Sequence, residues 1–177
     1  MLKLISRLTI VAVSVLASYP VTVMAAESPA AIHDAGLAVN NRAAVETMLR
    51  AWMKGDSGAL QSLFADDVEW TITGNSVAAG TTYGRAELIS KVLGPFGARF
   101  AQSSDRFRPR RIHGVYADSD TVIVHFDGAG VANDGQAYSN SYLWLLTLRD
   151  GKIARGTAFF DSIAFNELWD RVQPAQN

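Results

Sequence analysis

The sequence predicts an α+β protein in which helices come first and a curled antiparallel sheet follows. Apolar residues recur at helical spacing from about residue 45 to residue 64, whereas residues 107–160 are rich in strand-forming side chains. Tight turn pairs such as Asp150 and Gly151 separate the strand segments, as antiparallel neighbours require. A sequence that groups its helices before its strands is typical of this fold class.

The first helix is predicted to begin at Asn40 or Asn41, since either residue can cap it. Gly55 is predicted to end this helix, and Asp56 or Ser57 to cap a short second one. The apolar stripe that defines the first helix consists of Val45, Met48, Leu49, Trp52 and Met53.

The remaining elements are predicted from alternation and from turn signals. Residues 68–73 predict a strand, residues 74–84 a turn-rich connection, and residues 85–93 a helix that stops at Gly94 and Pro95. Four strands follow, at residues 107–116, 121–128, 137–148 and 153–160, and a closing helix is predicted at residues 162–172.

Residues 1–26 are expected to be a secretory signal peptide. Lys3 and Arg7 precede an almost wholly apolar stretch at residues 8–17, and the small residues that end at Ala26 suit cleavage. A retained membrane anchor is the alternative, although polar residues interrupt an apolar run that would need about 20 residues to span a bilayer. Cleavage implies a periplasmic or secreted protein.

Composition limits the classes of partner and of chemistry. The 177 residues carry a formal net charge of −1 and no cysteine, so disulfides, thiolate catalysis and lipid attachment at cysteine are excluded. So small a charge predicts no nucleic-acid partner, and we expect no membrane association after signal cleavage. Three histidines without ligand spacing, and no phosphate-binding glycine loop, predict neither a metal site nor a cofactor. Beyond the signal peptide we expect a flexible leader at residues 27–39 and one domain at residues 40–173.

One predicted strand carries large polar or amphipathic side chains at every second position, namely Tyr138, Asn140, Tyr142 and Trp144. Residues two apart in a strand project from the same face, and a face of this kind suits the wall of a ligand pocket. Tyr142, Trp144 and the earlier Trp70 are therefore predicted to bind substrate. A plain core or a dimer interface is the alternative for this face.

The order of elements resembles the nuclear transport factor 2-like superfamily, and within it the SnoaL-like and ketosteroid-isomerase-related branch. The resemblance extends from about Asn40 to Val172 and rests on short motifs in the family's order. These are Gly55-Asp56, residues 63–68 (LFADDV), residues 83–89 (YGRAELI), and residues 150–153 (DGKI) with the later Phe159-Phe160-Asp161. The resemblance implies a cone-shaped sheet wrapped by about three N-terminal helices and a C-terminal helix, a deep apolar pocket and a homodimer.

His125 and Asp127 are the main catalytic candidates. They are two residues apart in a predicted strand, so they share a face with Ile123, which is a predicted substrate contact. A buried carboxylate beside an imidazole can titrate near working pH and exchange a proton with it. Asp127 is the predicted base, His125 its partner and acid, and His113 an auxiliary group from the neighbouring strand. A structural polar pair at the start of a loop is the alternative.

The same three groups resemble the active site of scytalone dehydratase, a relative by fold that works with two histidines and an aspartate around bound water. His113 joins this set only if the strand register turns it inward, because a shift of one residue moves a side chain to the other face.

Two related families fit less well. Counted back from the hairpin, the Arg-x-Asp motif of limonene-epoxide hydrolases falls on residues 125–127, whereas that family's second catalytic aspartate falls on Ala158. Its water-holding tyrosine and asparagine fall on Trp70 and Ile72. The tyrosine and the aspartate of ketosteroid isomerases fall on Met48 and near Ile72. Epoxide opening and steroid isomerisation of those kinds are therefore not expected.

Asp161 has two interpretations. SnoaL-like enzymes use a late aspartate as an acid or base, which makes Asp161 a predicted substrate contact. The residue also directly precedes the closing helix, where a carboxylate can accept a hydrogen bond from a free N–H and complement the helix dipole.

The predicted function is that of a cofactor-free isomerase, dehydratase or cyclase that transfers protons on a small apolar carbonyl or hydroxyl compound. The alternative is a binding protein for a small hydrophobic ligand, without turnover. The direction of His125 and Asp127 separates the two, because a proton-transfer pair has to line the pocket.

Overall fold

The structure of the protein, a computed structural model, describes residues 28–175, so the predicted signal peptide lies outside the described residues. Its strands are β1 (Phe64–Ile72), β2 (Gly80–Tyr83), β3 (Arg108–Asp118), β4 (Thr121–Val131), β5 (Ala137–Arg149) and β6 (Lys152–Phe160). Its helices are α1 (Pro29–Met53), α2 (Gly58–Leu63), α3 (Arg85–Leu88), a π-helical turn (Ile89–Leu93), α4 (Gly94–Ala98) and α5 (Ser162–Arg171).

The strands form one curved sheet in the order β2-β1-β6-β5-β4-β3. Neighbouring strands are antiparallel except for β1 and β6, which run parallel. A parallel pair needs a long crossover connection, and the connection here contains all the elements from β2 to β5. The predicted α+β class and the four long strands are confirmed, whereas the parallel pair departs from the predicted antiparallel sheet.

Helix α1 begins well before the predicted asparagine caps. The Ser28 hydroxyl accepts a hydrogen bond from the Ala31 backbone N–H at 3.2 Å and caps the helix. The segment predicted as a leader, residues 27–39, is rich in alanine, the strongest helix former. Asn41 is buried within α1, and its side-chain amide donates to the Ser119 carbonyl at 3.1 Å instead of capping.

The end of α1 and the start of α2 follow the prediction. Gly55 has a φ of 105°, a backbone conformation that favours glycine, directly after the helix. The Asp56 carboxylate then accepts a hydrogen bond from the Ala59 N–H at 3.2 Å. Strand β1 starts at Phe64, a few residues earlier than predicted.

The passage at residues 74–84 contains a strand that the sequence did not predict. Strand β2 pairs with β1, placing Trp70 opposite Thr82 and Thr71 opposite Thr81. The hydroxyls of the second pair lie 2.9 Å apart. Strand β2 has only four residues and lies among turn-forming residues. Its alternation of side chains is therefore too short to predict an edge strand from the sequence.

The helix predicted to stop at Gly94 and Pro95 continues to Ala98. The Gly94 N–H donates to the Ile89 carbonyl, five residues back, which makes the π-helical turn. A Cβ at position 94 would lie 2.8 Å from that carbonyl oxygen, so glycine permits the turn. Pro95 then falls in the first turn of α4, where a missing N–H costs little.

The hairpins β3-β4 and β5-β6 have tight turns, and the second is the predicted turn at Asp150 and Gly151. Ser119 has a φ of 51° between β3 and β4. Asp150 and Gly151 have φ of 54° and 70° between β5 and β6, and positive φ at both central residues is the mark of a type I′ turn. Among the described helices, none is both long and apolar enough to cross a membrane.

The sheet has an inner face, on which Trp52 of α1 packs against Phe126 and Trp144, and an outer face, on which Ile123, Leu143, Leu145 and Phe159 are exposed. Side chains alternate between the two faces along β4 and β5. The inner face carries the largest part of the core, including Val122, Val124, Phe126, Trp144 and Leu146.

Candidate functional site

A cavity of about 560 Å³ lies between the inner face of the sheet and the helical segments around it. This volume is within the range of small-molecule sites. Its wall contains residues of strands β1, β3, β4, β5 and β6, of helices α1, α2, α4 and α5, and of the π-helical turn. The aromatic side chains that dominate the wall include Trp52, Trp70, Phe126, Tyr142, Trp144 and Phe160.

Trp144 lies at the centre of this aromatic wall. Its ring stacks on Trp52 with a centroid distance of 6.0 Å and meets Trp70 and Phe126 edge to face at 5.2 and 4.9 Å. Such interlocked rings hold their positions and present flat apolar surfaces. The wall therefore presents several flat apolar surfaces to the cavity.

The predicted shared face of Tyr138, Asn140, Tyr142 and Trp144 is confirmed, because all four side chains are buried while the residues between them are exposed. The three polar members form a chain of hydrogen bonds. Asn140 donates to the Tyr138 hydroxyl at 3.0 Å, and the two tyrosine hydroxyls lie 2.9 Å apart. Tyr142 is the member that lines the cavity.

Burial keeps the cavity tyrosine neutral. Desolvation raises the pKa of the Tyr142 hydroxyl well above its ordinary value, and the neighbouring Tyr138 raises it further. Desolvation also raises the pKa of Tyr138. A neutral phenol at the wall can donate or accept a hydrogen bond, but it cannot serve as a base near neutral pH.

Ionisable groups are scarce around the cavity. Besides Tyr142, the described lining residues include two cationic side chains, Arg106 and Arg108, and neither a carboxylate nor an imidazole. Arg108 also pairs with Asp105 at 3.2 Å. The cationic groups of the wall are therefore hydrogen-bond donors, which suit a ligand with oxygen acceptors, and the neutral side chains of Ser57, Gln61, Ser103 and Ser104 can donate or accept.

The predicted catalytic residues His113, His125 and Asp127 do not line this cavity. Phe126 is fully buried at the inner face, so His125 and Asp127 on either side of it project from the outer face. The expectation that the pair points into the pocket is therefore wrong. The alternation of side chains along the strand correctly predicts that His125 and Asp127 share one face of the sheet. It does not predict which of the two faces the helices cover.

Ile123 follows the same alternation. It lies on the outer face with 37% of its surface exposed and does not line the cavity. Ile123 therefore shares a face with His125 and Asp127, as predicted, but this is not the face that bounds the cavity. Trp70, Tyr142 and Trp144 do line the cavity, as predicted.

The three outer-face groups nevertheless come together. His113 Nε2 lies 2.7 Å from Asp127 Oδ2, and the His113 and His125 rings stack with a centroid distance of 4.2 Å. Ser141 donates to the other carboxylate oxygen, Oδ1 of Asp127. The Ser141 hydrogen bond, followed by that of His113, lowers the pKa of Asp127 below its ordinary value.

Asp161 is the N-cap of α5 and not part of the cavity wall. Its carboxylate accepts a hydrogen bond from the Ile163 N–H at 2.9 Å. Its backbone is tied to Asn140, which donates to the Asp161 carbonyl at 2.9 Å and accepts from the Asp161 N–H at 3.1 Å. The capping interpretation agrees with this geometry, and the predicted substrate contact does not.

Several wall residues were not predicted from the sequence. Phe126 lies between the two polar residues of its strand, and Phe96 lies beyond the predicted end of its helix. Phe160 and Phe165 flank the α5 cap. A signal was present for Phe126, because Val122, Val124 and Phe126 form the apolar series of β4.

The family of the chain follows from a match to the model of the SnoaL-like domain, which covers residues 45–156. Since this is more than half of the chain, the protein belongs to the SnoaL-like domain family. The predicted nuclear transport factor 2-like superfamily is thereby confirmed. Among curated proteins, none matches the chain.

Solved structures share the fold. Bal32a, from a soil-derived mobile gene cassette, is 23% identical with a TM-score of 0.61, and the match covers 75% of this chain and 98% of Bal32a. A protein of unknown function with a cystatin-like fold from Xanthomonas campestris is 27% identical, with 73% and 98% coverage and a TM-score of 0.60. A Jannaschia sp. CCS1 protein named as a SnoaL-like polyketide cyclase is 17% identical, with 79% and 93% coverage and a TM-score of 0.56.

Proposed function

We propose that the protein binds a small, flat, mostly apolar molecule that carries carbonyl or hydroxyl oxygens. The observation that carries this proposal is the aromatic wall around Trp144, together with a neutral Tyr142 hydroxyl and two arginines. Apolar surface supplies most of the affinity in such a site, and the few donors orient the ligand.

Binding without turnover is the function that this geometry supports best. Proton transfer by side chains requires a base at the reacting carbon, and the described wall contains neither a carboxylate nor an imidazole. The groups expected to supply this chemistry, His125 and Asp127, lie behind Phe126 on the other side of the sheet.

Tryptophan fluorescence offers a direct test of the binding proposal. Three of the four tryptophans line the cavity, whereas Trp169 does not. We expect a hydroxynaphthoquinone, used as the probe, to quench the emission with saturation. The W169F variant should keep the same affinity, and the W144A variant should lose most of it. Equal affinities in W144A and the wild type, or no saturable quenching, would refute the proposal.

A matched pair of probes tests the orienting role of Tyr142. The Y142F variant keeps the ring but removes the hydroxyl, so it should bind the hydroxynaphthoquinone about three- to tenfold more weakly. Naphthalene has a similar shape but no oxygen, so its affinity should not change. A loss of affinity for both probes would mean that the substitution alters the wall and not a hydrogen bond.

A second candidate is a cyclase or isomerase of enolisable carbonyl compounds. The hydrogen-bond chain from Asn140 through Tyr138 to Tyr142 favours it, because a fixed donor at a buried wall can stabilise a developing enolate oxygen. The proton would then go to water or to a basic group of the substrate itself. The similarity in fold to a named polyketide cyclase is compatible with this role.

Deuterium exchange separates turnover from binding. Tetralone, a flat ketone, should exchange its α-protons faster with the wild-type protein than with Y142F if the protein promotes enolisation. If tetralone binds saturably but exchanges its α-protons only at the uncatalysed rate, the binding function is supported. The same result would exclude enolisation of flat ketones of this kind by the protein.

We also propose export and a homodimer. Export would follow from cleavage of the predicted signal peptide near Ala26, and N-terminal sequencing of the protein recovered from the periplasm or the medium tests it. The dimer proposal is supported by exposed apolar side chains that adjoin one another on the outer face: Tyr116, Ile123, Leu143, Leu145 and Phe159.

A further inference from the structure

The outer face of the sheet carries a second group of chemically capable side chains, separate from the cavity. His113, His125 and Asp127 each offer one ligand atom, and these atoms all lie within 4.8 Å of one another. None of the three lines the cavity. The proposed binding function therefore leaves them without a role.

An irregularity in the sheet brings these groups together. In the pairing of β3 with β4, Ile112 is opposite Phe126 and Gly114 is opposite His125, so His113 is an extra residue in β3. A bulge of this kind redirects a side chain and is frequent beside functional sites. It places the His113 ring against both His125 and Asp127.

The third strand of the group, β5, supplies a supporting residue. Ser141 is opposite Asp127 and donates its hydroxyl hydrogen to Oδ1 of the carboxylate. Oδ2 is thereby directed toward the His113 ring, at 2.7 Å. Residues that donate a hydrogen bond to a metal-ligating side chain and fix its orientation are typical of metal sites.

We propose that His113, His125 and Asp127 form a binding site for a divalent transition-metal ion, with Zn²⁺ the best-fitting ion. Two imidazoles and one carboxylate form a ligand set that Zn²⁺ accepts, with a fourth position open to water. The absence of cysteine ligands disfavours ions that need thiolates, and the imidazoles disfavour Mg²⁺ and Ca²⁺.

The separations of the ligand atoms require only side-chain adjustment. Metal–ligand bonds of about 2.1 Å in a tetrahedron place neighbouring ligand atoms roughly 3.4 Å apart. The 2.7 Å contact between His113 and Asp127 would open slightly, and the stacked rings would tilt to converge on the ion. Because β4 is paired on both sides, its backbone holds His125 and Asp127 in place, whereas His113 comes from the edge strand β3.

Sequence spacing could not predict this site. The ligands come from two different strands, and His113 reaches them through a bulge that has no recognisable sequence signature. Short-range motifs detect ligands that lie on one turn or one helix, so the group appears only after the strands are paired.

The test uses the purified protein without a histidine tag, stripped with a chelator and titrated with Zn²⁺ by calorimetry. We expect one Zn²⁺ per chain. With Co²⁺ as the spectroscopic probe, we expect the visible absorption that marks tetrahedral coordination. The variants H113A and H125A should each lose this absorption and lower the Zn²⁺ affinity at least tenfold, and S141A should weaken binding by about tenfold.

The remaining histidine provides a matched control. His33 lies exposed in α1, so H33A should bind Zn²⁺ as the wild type does. Circular dichroism of each metal-free variant verifies that it is folded. The proposal is overturned if the folded H113A and H125A variants bind Zn²⁺ as tightly as the wild type, if H33A alone abolishes binding, or if the wild type takes up no stoichiometric ion. None of these results depends on ligand binding in the cavity.

Discussion

Trp70 lies directly over Gly156, its partner across the parallel strands β1 and β6. A Cβ at position 156 would lie 2.2 Å from the edge of the indole ring, closer than real atoms approach. The absence of a side chain at Gly156 therefore allows Trp70 to pack closely against this strand and form part of the cavity wall. From that position the indole meets the rings of Phe64 and Trp144 at 5.5 and 5.2 Å.

The substitution Gly156→Ala should therefore damage both stability and binding. Overpacking of a core costs about 1–3 kcal/mol, and a displaced Trp70 would disturb the ring of Trp144. Urea denaturation measures the first effect, and hydroxynaphthoquinone titration the second. Gly36→Ala is the control, because position 36 is open, helical and without positive φ. Wild-type stability of the Gly156→Ala variant would contradict the close approach.

Asn140 joins strand β5 to the start of helix α5, and its removal should destabilise the fold. The substitution Asn140→Ala deletes three hydrogen bonds and leaves the Asp161 N–H and the Tyr138 hydroxyl without this partner. We expect a loss of about 2–4 kcal/mol in the free energy of unfolding. Chemical denaturation measures it, with the exposed Asn75→Ala as a control expected to remain near the wild type.

Asp161 should matter for stability and not for ligand binding. Asp161→Ala removes the cap of α5 and should cost about 0.5–2 kcal/mol, whereas Asp161→Asn keeps an acceptor and should cost less. Because the side chain does not line the cavity, probe affinity should be the same in both folded variants. A selective loss of probe affinity in Asp161→Asn would restore the substrate-contact interpretation.

The charge of Asp127 should appear in the pH dependence of stability. Its pKa is lowered in the folded protein, so its stabilising contribution is present above the pKa of the unfolded chain and is lost as the pH falls through the lower folded pKa. The melting temperatures of the wild type and of Asp127→Asn should therefore differ at neutral pH and converge in strong acid. A difference that stays constant with pH would show that the carboxylate charge contributes nothing.

The exposed apolar face should control assembly. Leu143 and Leu145 project from the outer face of β5, each with 40% of its surface exposed. Lysine at both positions would place two charges in a dimer contact, so the double variant should sediment as a monomer while the wild type sediments as a dimer. A double substitution of the surface residues Arg42 and Arg50 on α1 is the control. Identical sedimentation of all three proteins would refute the dimer proposal for this face.

Alternation predicted the strands well because it is a local property. The alternation from Tyr138 to Trp144 correctly predicts that these side chains share one face, since a period of two depends only on the backbone of a strand. The choice between the two faces is not local. It depends on where α1 packs, and for β4 the polar pair beside Phe126 suggested the opposite choice.

Other features depend on interactions between distant residues. The bulge at His113 exists only in the pairing of β3 with β4, and the parallel contact of β1 with β6 depends on the whole crossover. The caps of α1 and α2 illustrate the difference between a local interaction and one between distant residues. Asp56, one of the two residues that local sequence predicts as the cap of α2, accepts the hydrogen bond, whereas Asn41 makes a contact with the distant Ser119.

The π-helical turn before Gly94 has a consequence for how the cavity can change among related proteins. An α-helix advances by about 100° for each residue, so one residue added in a π turn rotates every later side chain by about that angle. Phe96, which meets Phe107 at 4.9 Å, follows this turn in the same helical segment. Insertion or deletion of a single residue in this helix could therefore exchange the side chains that face the ligand, even if each wall residue on the sheet stayed the same.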